Sequence, residues 1–224
     1  MTSITTVQPA ISIAKTGLPS SITFESSQQS LRAFSSYFEC MTGTWNSERT
    51  YHYAPPDAKR EDSQTTFDVV RLTPTQISEV LATNGDATAS FSAHQQHNTH
   101  GFNVSFLTRM ASQSELVRAS TNLAFVPNSA HEAGLLCGNY YRDLGYEESA
   151  PIKATFTFEC ARMELTMTTF YTKVVSVDQI SLINDTTRLR RIVNYRRPPD
   201  DTSFEEVVLV GFGIERKGEQ RLVS

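Results

Sequence analysis

The sequence predicts an all-β fold: a closed antiparallel barrel of about ten strands with one N-terminal helix. Three observations carry this. The hydrophobic period is 3.6 up to Gly43, then changes to 2 and does not change back. Turn chemistry falls between many of the alternating runs, at Ala54-Pro55-Pro56-Asp57, Asn84-Gly85-Asp86, Pro127-Asn128 and Pro198-Pro199-Asp200-Asp201. The strand faces mix polar with apolar residues, which a solid sandwich core tolerates poorly and a barrel with internal space accommodates.

The elements follow in order. SSQQSLRAFSSYFECMTG places Leu31, Phe34, Phe38 and Met41 at helical spacing, with Ser27 as N-cap and Gly43 as the stop. GTWNSERTYHY (43–53) then alternates Trp45, Ser47, Arg49, Tyr51 and Tyr53 against the wholly polar Asn46, Glu48, Thr50 and His52. The odd set should face inward, and it takes an arginine with it. Strands are further expected at 65–72, 87–94, 101–108, 115–126, 134–142, 152–159, 163–171, 189–197 and 205–216, with no second helix. Asn103 and Ser105 oppose Phe102, Val104 and Phe106; in 189–197, Arg190, Ile192 and Asn194 oppose Leu189, Arg191 and Val193. Gly211 and Gly213 suggest a bulge or sharp bend in the last strand. Residues 1–24 read as a flexible tail and 25–224 as one domain.

Composition removes several function classes. The formal charge of −4 and the lack of basic runs beyond short pairs such as Arg190–Arg191 argue against nucleic-acid binding. No apolar stretch approaches the ~20 residues of a membrane helix. Cys40, Cys137 and Cys160 are odd in number and far apart, which fits a reducing compartment and buried thiols better than a disulfide framework. His94, His97 and His100 fall in an expected turn without sulfur or carboxylate ligands nearby, so no metal site is expected. GFGIER lacks GxGxxG spacing, and no serine hydrolase motif is present, so no catalytic residues are expected.

The segment HEAGLLCGNYYRDLGYEE (131–148) is the richest in chemistry. One face of it would carry Glu132, Leu136, Tyr140 and Arg142, separated by Gly134 and Gly138, which suggests a lined pocket. The alternative is two hydrated charges at opposite ends of a strand. Ten residues of straight strand span about 33 Å, so Glu132 and Arg142 share one compact ligand only if the strand curves strongly.

Two of these motifs together, the helix followed by GTWNSER and the later GNYYRDLGYEE, resemble the S-type phycobiliprotein lyases. FVPN, SVDQI and LVGFGIERK extend the likeness from about Gln28 to Lys217. The resemblance implies a lipocalin-like ten-stranded barrel that binds a linear tetrapyrrole (a phycobilin such as phycoerythrobilin) as substrate, with no prosthetic group. It implies delivery of that bilin to a cysteine of an apo-phycobiliprotein, as a thioether, in a plastid or a cyanobacterial cytoplasm. Bilin and apo-phycobiliprotein are the expected partners, and a homodimer is allowed for. For such a ligand Glu132 is the expected carboxylate facing the pyrrole N–H groups, and Arg142 the propionate clamp with Tyr140 beside it. Arg49 is a second propionate or lactam contact. Asp143, Tyr141 and Cys137 should point away. Lipocalin-like barrels also close one end with a tryptophan beneath an arginine; Trp45 is either that residue, with Arg190 or Arg216, or a ligand contact. A non-catalytic carrier of a small hydrophobic or tetrapyrrole ligand is the alternative function, and a chaperone of the apoprotein a third.

Overall fold

In a computed structural model, residues 27–56, 58–86, 91–128, 132–143, 151–199 and 203–218 are described. Helix α1 (Ser27–Met41) leads into β1 (Gly43–Tyr53), which turns back into β2 (Arg60–Arg71). Two short helices follow, α2 (Pro74–Thr83) and α3 (Ala93–His97). The chain then runs through β3 (His100–Met110), β4 (Leu116–Pro127), β5 (Leu135–Arg142), β6 (Ile152–Glu159) and β7 (Glu164–Phe170). It ends with β8 (Val174–Asn184), β9 (Thr187–Arg196) and β10 (Val207–Lys217). Each strand pairs antiparallel with its sequence neighbours, and β1 pairs with β10, so the ten strands form a closed barrel without edges.

Ten strands were expected and ten are present, but they are not the same ten. The expected strand 87–94 is no strand where it is described, because α3 starts at Ala93; residues 87–90 lie outside the described residues. Ser92 and Gln95 form a capping box there, and Thr73 and Gln76 form another ahead of α2, which has proline in its first turn. Ile77, Val80 and Leu81 then lie at helical spacing, and Asn84, read as part of a strand turn, is the C-cap of α2. The missed strand is β8, VVSVDQISLIN, whose two faces both mix apolar and polar residues. The first 26 residues, and with them the expected tail, lie outside the described residues.

Helix α1 plugs one end of the barrel. Phe34, Tyr37, Phe38 and Met41 are all buried, and the rings of Phe34 and Phe38 meet Phe156, Phe158 and Phe125 at centroid distances of 4.9–5.4 Å or within that spacing of one another. Such aromatic burial dominates core energetics, and truncating one ring to alanine costs roughly 3–5 kcal/mol. Helix α2 lies outside the wall, its Val80 and Leu81 covering Ala124, Val126 and Tyr141 of β4 and β5. The opposite end, where β1, β5 and β9 finish and β2, β8 and β10 begin, is the mouth.

Gly211 and Gly213 do not make a bulge. Both are in register with β1 and β9, and the irregularity in β10 lies at Val207/Leu209. Both face inward: a Cβ on Gly211 would fall 2.7 Å from Tyr51 Cδ1, and one on Gly213 would fall 3.0 Å from Arg49 Cγ. Their absent side chains make room for β1 side chains inside the barrel.

Candidate functional site: the barrel interior

Strand β1 alternates as the sequence requires, with Trp45 and Ser47 buried and Arg49, Tyr51 and Tyr53 turned to the internal cavity. Trp45 has no exposed surface and donates from Nε1 to the Met41 carbonyl at 2.9 Å, tying β1 to the end of α1. The guanidinium above its ring is that of Arg188, at 4.2 Å, not Arg190 or Arg216. Arg216 is exposed on the outward face of β10, and Arg190 lies one inward position further toward the mouth than Arg188.

Arg188 pairs with its register neighbour Glu215, which is fully buried. Glu215 also accepts from Arg49 Nη2 at 3.0 Å and Ser47 Oγ at 3.2 Å. Burial by itself would raise the Glu215 carboxyl; Arg188, Arg49 and Arg190 outweigh it and bring the pKa down to about 2. Arg49 further donates to Ser47 Oγ (3.1 Å) and Tyr51 Oη (3.2 Å), and its guanidinium lies 4.5 Å from the Phe67 ring centre. An arginine on the inward face of β1 is therefore the counter-charge of a buried glutamate in the barrel floor.

A second contact seals the floor from the side of α1. His100 of β3 is buried, stacks on Phe38 and bonds Ser35 Oγ through Nε2 at 2.9 Å. Arg71 donates to its Nδ1 at 3.3 Å, so the neutral ring carries its proton on Nε2. Burial, then the charges of Arg71 and His97, lower the His100 pKa to about 4. His94 and His97 sit on α3, so the histidine triplet is split between a helix and a buried strand position.

Between floor and mouth lies a cavity of about 340 Å³. Its apolar wall includes Phe67, Phe102, Phe106, Met167 and Ile192. The polar groups converge from three strands. Asp178 (β8) holds Arg190 (β9) through both carboxylate oxygens, with Nε at 2.8 and 3.0 Å and Nη2 in contact; the side chains are 15% and 19% exposed. Arg142 (β5) is buried and donates from Nη1 to Tyr171 Oη at 2.5 Å. Tyr140 bonds Thr169 and stacks on Phe125 at 5.4 Å. Asn194 Oδ1 is buried and has no hydrogen-bond partner among the described residues. The volume, the aromatic lining and the few convergent charges fit a pocket for an elongated, largely apolar molecule bearing acidic groups.

The sequence-selected residues separate accordingly. Tyr140 and Arg142 line the cavity together, as β5 alternation requires, and Arg49 lines its lower part with its guanidinium engaged by Glu215. Glu132 is exposed, outside β5 in a short turn bridged to Leu135, and does not line the cavity. Among the described residues the carboxylate that lines the cavity is Asp178. Tyr141 is buried under α2, Cys137 faces away, and Asp143 binds the Asn122 backbone (2.9 Å) and side chain (2.7 Å) on the outer wall. Asn103 and Ser105 also face outward, hydrogen-bonded to Ser120 and Asn122, and so are no part of a polar interior. Asp178 and Arg188 were not selected from the sequence, and Arg190 and Asn194 were noted there without being assigned to the pocket. The signal for Arg188, Arg190 and Asn194 was the more polar face of β9, which points inward.

The CpeS-like protein family matches residues 33–218. Chromophore lyase CpcS/CpeS 1 of Synechococcus sp. (strain JA-3-3Ab) is 41% identical over 187 residues, covering 84% of this chain and 97% of that protein. The solved structure of the S-type phycobiliprotein lyase CPES from Guillardia theta superposes with a TM-score of 0.62 at 15% identity, over 84% of this chain and 93% of that one, a likeness of fold. With the family match spanning the barrel from α1 to β10, the chain belongs to the CpeS-like protein family.

Proposed function

We propose that this protein is a phycobiliprotein lyase: it takes a bilin into the barrel cavity and delivers it to a cysteine of an apo-phycobiliprotein. The observation that carries this is the 41% identity, over 84% of this chain and 97% of the relative, to a protein named a chromophore lyase. The cavity chemistry supports it. Asp178, with lone pairs beyond those engaged by Arg190, accepts pyrrole N–H bonds and favours the protonated, cationic tetrapyrrole. Arg142 clamps a propionate by charge-assisted hydrogen bonds, with Tyr140 and Tyr171 beside it. Asn194 Oδ1 accepts one further ligand N–H.

The reaction is an addition without a leaving group. The acceptor's sulfur bonds to the exocyclic ethylidene carbon of ring A, the thiol proton ends on the adjoining ring carbon, and no oxidant is consumed. The lyase supplies no nucleophile; it orients the bilin, excludes water along the buried length and leaves one end at the mouth for the acceptor. The bilin is phycoerythrobilin or a close relative, and the setting is a cyanobacterial cytoplasm or a plastid. Mixing the purified protein with free bilins and an apo-phycobiliprotein tests the reading: a visible-absorbance shift on binding, then acid-resistant colour on the acceptor, is expected. Binding without transfer would make the protein a carrier. No binding would leave a chaperone of the apoprotein.

A further inference from the structure

Three glutamates are buried among the described residues: Glu61, Glu164 and Glu215. Glu164 holds Arg162, and Glu215 holds Arg188 and Arg49. Glu61 forms no ion pair among the described residues. Its two oxygens are bonded by hydroxyls instead, Oε1 by Ser112 and Oε2 by Tyr53 at 3.3 Å. Hydroxyls satisfy its lone pairs without neutralising it, so a proton arriving on Tyr53 has an acceptor directly behind it.

Position gives that proton a source. Glu61 is at the start of β2 and faces inward, opposite Tyr51 in register. Tyr53 ends β1 and Ser112 lies just past β3, so all three sit at the mouth. The Ala111 amide donates to the Asp62 carbonyl at 2.8 Å, which ties the β3–β4 turn to β2 and holds Ser112 against Glu61. Tyr53 lines the cavity, with the apolar Met110 and Leu209 on the same side. Helix α1 closes the other end of the barrel, so an acceptor's cysteine reaches the cavity past Tyr53.

We propose that Tyr53 and Glu61 form a proton relay that activates the acceptor's cysteine, Tyr53 touching the thiol and Glu61 acting through it. The inference rests on the lyase reading and names the groups that move its proton. The thiol donates to Tyr53 Oη while Tyr53 donates to Glu61 Oε2, so a proton leaves sulfur and one arrives on Glu61. The thiolate sulfur bonds to the ethylidene carbon of ring A, and the π electrons shift to the adjoining ring carbon. The relay then runs backwards: Glu61 returns a proton to Tyr53, and Tyr53 gives one to that carbon. An S–H bond and a C=C π bond are exchanged for S–C and C–H bonds, and Glu61 is left as it began. Burial, then the charge of Glu61 and its hydrogen bond, push the Tyr53 hydroxyl up, so Tyr53 passes protons on without resting as a phenolate. The neighbouring cations are engaged elsewhere: Lys59 Nζ lies 4.5 Å from the Tyr53 ring centre, and Arg49 donates to Tyr51 and Glu215.

Single-turnover transfer of phycoerythrobilin from the loaded protein to an apo-phycobiliprotein, followed against pH, tests it. With the relay, the wild-type rate should vary little between about pH 6 and 8, because the carboxylate takes the proton from the neutral thiol. Glu61→Gln, which keeps an oxygen for Tyr53, should slow transfer about a hundredfold at about pH 7. Its rate should then climb about tenfold per pH unit toward the ordinary thiol pKa of about 8.5, as free thiolate takes over. Tyr53→Phe should show the same loss and the same slope. Both variants should bind the bilin with wild-type affinity and spectrum, which reports an intact barrel. A wild-type rate and flat profile in either variant overturns the inference, as does a loss equal at every pH, which marks misplacement of the reactants. A wild-type chain that transfers no bilin at any pH overturns the lyase reading itself, and the relay with it.

Discussion

Two arginine–carboxylate clusters lie inside one barrel, and they do different work. In the floor, Glu215 is fully buried among Arg188, Arg49 and Ser47, with Trp45 and α1 beneath. Higher in the wall, Asp178 holds Arg190 with both side chains partly open to the cavity. The chemistry is the same and the access differs. Arg49 and Arg188 border the cavity but Glu215 does not, so that carboxylate sets structure, its desolvation offset by its own partners. A pair facing a cavity can exchange part of its hydration for a ligand.

Substitutions separate the clusters by effect. Glu215→Gln leaves Arg188 and Arg49 without their counter-charge and should cost about 3–5 kcal/mol of folding stability, read by denaturant unfolding. A loss below about 1 kcal/mol would mean the floor is wetter than described. His100 adds a pH dependence to the same end of the barrel. Its folded pKa of about 4 lies below the ordinary 6.5, so between those values the unfolded chain binds a proton that the folded chain refuses. Stability should therefore fall as pH drops from 6.5 to 4, by about 3 kcal/mol at most, and His100→Gln should remove that slope. Glu215 adds its own loss at lower pH, as its carboxyl titrates from the usual range toward about 2.

The wall should behave differently. Asp178→Asn should cost only about 1–2 kcal/mol in folding, because the pair is part-exposed, yet lower the pKa of the bound tetrapyrrole by about 1–3 units. Absorbance of the complex against pH reads this directly, and an unchanged titration would remove Asp178 from the pigment site. Arg142→Leu should raise the bilin dissociation constant about tenfold with little spectral change. Smallest of all, Glu132→Ala should alter neither spectrum nor affinity, because that side chain is outside the cavity.

Legibility tracked how local each signal was. The helix, nine of the ten strands and the inward set of β1 follow from periodicity within single segments, and so does the sharing of one face by Tyr140 and Arg142. Two further helices were announced by capping boxes at Thr73 and Ser92 that periodicity alone overlooked. Strand β8 hid because a strand between a wet cavity and an apolar outer wall has no clean alternation. Glu132 was misplaced for a related reason: even spacing fixes a face only while the strand lasts, and β5 begins at Leu135.

The sequence by itself determined the architecture and the family, since alternation, turns and motif order are properties of the chain. Which arginine meets which carboxylate was decided by tertiary structure alone. Arg188 and Glu215 are 27 residues apart, and Arg49 and Glu215 are 166 apart. Register sets Arg188 opposite Glu215, and barrel closure between β1 and β10 brings Arg49, one inward position beyond Ser47, within reach of the same carboxylate. A guanidinium on a buried strand face is an anomaly in sequence and a counter-charge in the barrel, because only closure supplies its partner.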